Sequence, residues 1–143
     1  MAKTKGVLVA VDGSKQSDRA VRHALELMDN GLSGPLHLIN VQPSLRGAVS
    51  TFVDKAQIDS YHREEGEKAL KSAIAIAKKA SVPAETHIGV GRQGEIVADF
   101  AKKLKVGLIV VGTRGHTGLA GVLLGSVAQD IIAHTDVPIT LVK

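Results

Sequence analysis

Four consecutive branched aliphatics, Leu108-Ile109-Val110-Val111, stand between Gly107 and Gly112. A strand built this way offers no polar face to water, so it needs cover on both sides, as in a parallel sheet flanked by helices. Val7 to Val11 (VLVAV) reads in the same manner and runs into Asp12-Gly13-Ser14. Leu36 to Val41 (LHLINV, with Pro35 just before it), Ala84 to Gly89 and Ile139 to Val142 supply three further strands.

Between these runs the apolar residues recur at helical spacing. After a cap at Ser14 or Ser17, Ala20, Val21, Ala24, Leu25 and Met28 mark a first helix ending at Asn30-Gly31. A polar loop, QPSLRGAVS, leads to a charged helix over about 54–81, irregular in its first turns, with Leu70, Ala73, Ile74 and Ala77 as its buried stripe. Val97, Phe100, Ala101 and Leu104 define a third helix. After Ser126 a fourth carries Val127, Ile131 and Ile132 toward the core and stops near Asp136, before Pro138. Five strands alternating with four helices predict one domain over 1–143, an α/β doubly wound, five-stranded parallel sheet with helices on both faces. Strand order 3-2-1-4-5 would make strands one and four neighbours where the winding reverses, which is where such sheets bind ligands.

With 44% apolar and 22% charged residues, the 143-residue chain has the balance of a folded domain. Phe52, Tyr61 and Phe100 are its only aromatics, so stacking platforms for bases are not expected. The absence of cysteine excludes disulfides and thiolate metal sites and suits a reducing compartment. No apolar run spans a membrane and no signal-peptide core follows the first residues, so the expected location is the cytoplasm. The net charge of +4 could favour nucleic acid, but the charges alternate in sign along the helices rather than forming a basic block, and a phosphate-bearing small molecule explains the excess equally well; no nucleic-acid partner is expected.

Gly112 to Ser126, GTRGHTGLAGVLLGS, follows the most buried strand and precedes a helix. Glycines at 112, 115, 118, 121 and 125 read either as a flexible loop or as a cradle whose free amides, with the first turn of the next helix, hold phosphate. The strand and helix on either side favour the cradle. Asp12 likewise reads as a turn residue or as a ligand to ribose hydroxyls, and Arg114 and His116 as exposed loop residues or as added positive charge near phosphates.

The spacing G-2x-G-9x-G-S from Gly112, the VAVDGS of residues 9–14 and the closing VAQDIIAHTDVPITLVK together resemble the universal stress protein family, over essentially the whole chain. The resemblance implies a Rossmann-like adenine-nucleotide-binding fold, usually a dimer, in the branch that keeps the glycine motif and binds ATP, with Mg2+ or Mn2+. Carried over by position, Asp12 lies at the adenine and ribose end, Val41 contacts the base and Gly112 the ribose. Gly115, Gly125, Ser126 and Val127 hold the phosphates. Val11 departs from relatives with a hydroxyl before the aspartate, since its side chain has no group to offer a phosphate. The apolar Val137 to Val142 would be the homodimer edge.

Other motifs are weaker. Gly89, Gly91 and Gly94 spell G-x-G-x-x-G but follow the third strand, without an acidic residue about 20 positions on, so they are expected to be turn glycines. His23, His37, His62, His87, His116 and His134 lack the spacings of a zinc or hydrolytic metal site and are expected at the surface or in strands. No nucleophile elbow or P-loop lysine is present. The expected output is a nucleotide state that acts on a further protein partner, with at most slow ATP hydrolysis. An adenylyl- or phosphoryl-transferring enzyme and a dimeric interaction module without nucleotide are the alternatives.

Overall fold

The computed structural model describes residues 5–45, 53–114 and 124–143. In chain order they form β1 (Val7–Ala10), α1 (Lys15–Asp29), β2 (Leu36–Gln42), α2 (Lys55–Lys79), β3 (Ala84–Val90), α3 (Gln93–Leu104), β4 (Leu108–Gly112), α4 (Ser126–His134) and β5 (Ile139–Val142). The strands make one parallel sheet in the order β3-β2-β1-β4-β5, as the alternation of elements predicts.

Strand β1 shows why both faces are covered. Its side chains alternate: Val7 and Val9 join Val11 against Ala20, Val21 and Ala24 of α1 and Leu70, Ala73 and Ala77 of α2. Leu8 and Ala10 face the other way, toward Val97 and Ala101 of α3 and Ala128 and Ile131 of α4. A slip of one residue would exchange the two sets, so the pattern fixes the register. Each fully buried aliphatic side chain contributes about 1.5–3 kcal/mol relative to exposure.

Three apolar residues lie elsewhere than expected. Ile74, Val127 and Ile132 are 40%, 38% and 44% exposed. In α2 the buried line runs through His62, Gly66, Leu70, Ala73 and Ala77, and in α4 through Ala128 and Ile131. Each exposed residue is the immediate sequence neighbour of a buried one, about 100° around the helix and so on its flank. The first turns of α2 are regular, contrary to expectation. The Asp54 carboxylate accepts from the Gln57 amide and the Gln57 side chain accepts from the Asp54 amide, a reciprocal cap.

The histidines divide. His62 is a helix residue, buried at 6% exposure rather than at the surface, with Nε2 3.0 Å from the Pro43 carbonyl. His37 on β2, 3% exposed, brings its Nδ1 within 3.0 Å of Nε2 of the half-buried His87 on β3. Burial, and after it the neighbouring His37, holds the His87 imidazole below its ordinary pKa. His116 lies outside the described residues.

Candidate functional site

The sheet winds outward in both directions from β1 and β4, which are adjacent and parallel with Val9 opposite Val110. Their carboxyl ends therefore open the crevice where a ligand is expected. Asp12 follows β1, half-buried, and its Oδ1 accepts from the Ser14 amide at 2.9 Å while its own amide donates to Ser17 Oγ at 3.3 Å. Asp12 therefore serves as a turn residue at the carboxyl end of β1. Gly112 ends β4, and a side chain there would come within 3.3 Å of the Gln16 carbonyl in the first turn of α1. The end of β4 is packed against the first turn of α1.

Beyond Gly112, Thr113 donates its amide to Val142 of β5, and the Gly125 amide donates to the Thr113 carbonyl at 2.6 Å. The base of the glycine segment is thereby closed. This modifies one expectation: the Gly125 amide is committed to the protein, so any anion contact falls to the amides after it. Ser126 and Val127 are exposed and form the first turn of α4. Arg114 is exposed as well, whereas Gly115 and His116 lie outside the described residues. Val11 is 5% exposed and packs into the α1/α2 core, which takes its side chain out of the crevice. Val41 is 4% exposed at the end of β2.

Among the described residues, each of the four helices has an amino terminus whose amides lack intrahelical acceptors, and the chain treats them differently. Ser14 Oγ accepts from the Ser17 amide at 3.1 Å and closes α1, which identifies Ser14 rather than Ser17 as the cap. Asp54 closes α2. The Asp130 carboxylate, reaching over from α4, accepts from the Gly94 amide at 2.6 Å and closes α3. Among the described residues no side chain caps α4, whose N-cap is Gly125. The amino terminus of a helix carries a partial positive charge.

Three residues that shape this end of the sheet were not anticipated. Asn40, inside the apolar run of β2, donates Nδ2 to the Val11 carbonyl at 2.8 Å and receives Gln42 Nε2 at 2.7 Å. Gln93 of α3 donates to the Val41 carbonyl at 2.8 Å, and Asp130 both closes α3 and pairs with Arg92 at 3.2 Å. An asparagine inside the apolar run Leu36 to Val41, broken otherwise only by His37, is the sequence signal that marks this network. Of the G-x-G-x-x-G glycines, expected to be turn glycines, only Gly91 lies in a turn, with φ +141; Gly89 is in β3 and Gly94 in α3, where a side chain would run into the Asp130 backbone.

The sequence of residues 3–143 matches the model of the universal stress protein family. The chain is 33% identical over 145 residues to universal stress protein MJ0531 of Methanocaldococcus jannaschii, covering 97% of this chain and 82% of that one. Its fold matches the universal stress protein of Archaeoglobus fulgidus in complex with dAMP, with TM-score 0.69, 26% identity, and 96% and 97% of the two chains covered. It also matches a universal stress protein in complex with cAMP, with TM-score 0.70, 26% identity and 97% of each chain covered. No helix among the described residues is long and apolar enough to cross a membrane. By the match along its length and by its sheet order, this chain belongs to the universal stress protein family.

Proposed function

We propose that residues 1–143 act as a single adenine-nucleotide-binding domain that holds ATP across the β1/β4 crevice and signals through its nucleotide state. The observation that carries this reading is the α4 amino terminus, left without a side-chain cap among the described residues while α1, α2 and α3 are each closed. Phosphates would meet the Ser126 and Val127 amides and the segment begun by Gly115. Each such bond contributes about 1.5–3 kcal/mol. Gly112 and Asp12 would receive the ribose, with Val41 under the base. The dAMP and cAMP complexes of the two relatives support the adenine choice.

Mg2+ or Mn2+ would ride on the phosphate oxygens, as small hard cations do in nucleotide sites. Asp12 is the only acid among the assigned residues, and it is placed at the ribose end. The site therefore suits holding ATP more than consuming it. Arg114 and His116 would add positive charge at the phosphate end.

A homodimer through Val137 to Val142 fits the same picture. β5 is an edge strand, and Leu141 is 40% exposed along it, with Val127 and Ile132 on the preceding helix also exposed. The absence of cysteine accords with a reducing compartment such as the cytoplasm.

Thermal unfolding with ATP, ADP, AMP, GTP and no nucleotide, each with and without magnesium, tests the reading. Nucleotide at about 100 times its dissociation constant should add roughly 2.7 kcal/mol of stability. The absence of a shift with every adenine nucleotide would overturn it, and an equal response to GTP would remove the adenine selectivity.

A further inference from the structure

The histidine spacings along the chain exclude the familiar zinc motifs, but the sheet brings together what the sequence separates. Parallel pairing sets His37 of β2 directly opposite Glu85 of β3, and Glu85 and His87, two apart on one strand, share a face with it. His37 Nδ1 lies 3.0 Å from His87 Nε2 and 3.3 Å from Glu85 Oε2. One ligand atom from each of the three falls within 4.8 Å of the other two.

We infer that His37, Glu85 and His87 form a binding site for a borderline divalent cation of the zinc type, separate from the nucleotide crevice. The donor set decides the class of ion: two imidazoles and one carboxylate suit zinc and its neighbours, whereas magnesium and calcium take oxygen ligands. The spacing also fits. Two ligands at the usual zinc distances in a tetrahedron stand about 3.3–3.4 Å apart, so an ion needs only small movements of these side chains.

In the cluster as it stands, one imidazole donates its proton to the other. Binding requires that this ring shift its proton to its second nitrogen, so that both facing nitrogens present lone pairs while neither ring changes charge. The Phe100 ring, 5.4 Å from that of His87, walls one side. Glu85, with 67% of its side chain exposed, leaves a solvent-facing fourth position for water. His37 lies four residues before Val41, about 13 Å back along β2 from the nucleotide crevice. A cation there ties the edge strand β3 to β2 without touching a nucleotide ligand.

The test uses the untagged full chain, free of nucleotide and treated with chelator, titrated with Zn2+ by calorimetry and with Co2+ by visible absorption. The expected result is one Zn2+ per chain, a rise in Tm, and the strong visible bands of four-coordinate cobalt. Glu85→Gln, at an exposed position, should fold and bind at least about tenfold more weakly, and Glu85→Gln/His87→Gln should lose the cobalt bands. ATP affinity should be unchanged in Glu85→Gln. No zinc-dependent rise in Tm, or binding undiminished in the double variant, would overturn the assignment.

Discussion

The amino termini of α1 and α4 stand at the carboxyl ends of two adjacent strands, β1 and β4, yet they are finished in opposite ways. Helix α1 is sealed by its own chain: Ser14 caps it, Ser17 Oγ donates back to the Ser14 carbonyl, and Asp12 is held by the Ser14 amide. Helix α4 starts at a glycine with no side chain to offer, and that glycine's amide is turned back onto Thr113. The same local problem, orphan donors at a helix end, is solved by side chains at one strand end, while among the described residues no side chain solves it at the other. The contrast teaches that a glycine at this junction matters through what it withholds from the helix.

The largest effect that would break the comparison is Gly125→Asp. Gly125 has φ −68, so a side chain is sterically permitted there, although its Cβ would lie 3.1 Å from the Thr113 carbonyl. The new carboxylate would cap α4 as Ser14 caps α1 and repel phosphate. ATP affinity should fall about 100-fold or more, the loss of two charge-assisted bonds, with circular dichroism unchanged. Unaltered affinity by calorimetry would show that the open end is not the phosphate site.

Asp130→Ala comes next and opens a second helix end. It removes the carboxylate from the Gly94 amide and from Arg92, and should cost about 1.5–3 kcal/mol in urea denaturation. If α3 then gained an ATP site, an open end alone would be sufficient for binding; unchanged stoichiometry would show that Asp12 and the glycine segment are also needed.

Ser14→Ala sharpens the comparison from the sealed side. It should lower stability by about 1 kcal/mol, read from the denaturation midpoint at constant slope. ATP affinity should change less than in Gly125→Asp. An equal loss would mean that α1, through Asp12, carries as much of the site as α4.

The topology was legible because the strands carry their constraint locally. VLVAV and LIVV need cover on both faces whatever their neighbours, and the helical repeats between them leave little choice of sheet type. Exposure at Ile74, Val127 and Ile132 was not legible, because flank positions of an apolar helix face differ from central ones only after the helix is docked. The closures by Asn40, Gln93 and Asp130 join residues 29, 52 and 36 positions apart. The His37-Glu85-His87 cluster depends on the register of β2 against β3. No spacing rule along one strand contains that register. Gly112, Gly125 and Asp12 fall at one end of the sheet because the strand order brings their elements side by side.

The hydrogen bond from Gly125 to Thr113 has an evolutionary consequence. It holds residues 113 and 125 together where β4 stops and α4 starts, so the length of chain between them can change while both elements stay in place. Doubling such a loop costs only about 0.6 kcal/mol of closure entropy, and neither strand register nor helix packing has to change. Insertions or deletions between these two residues are therefore tolerated by the fold on either side.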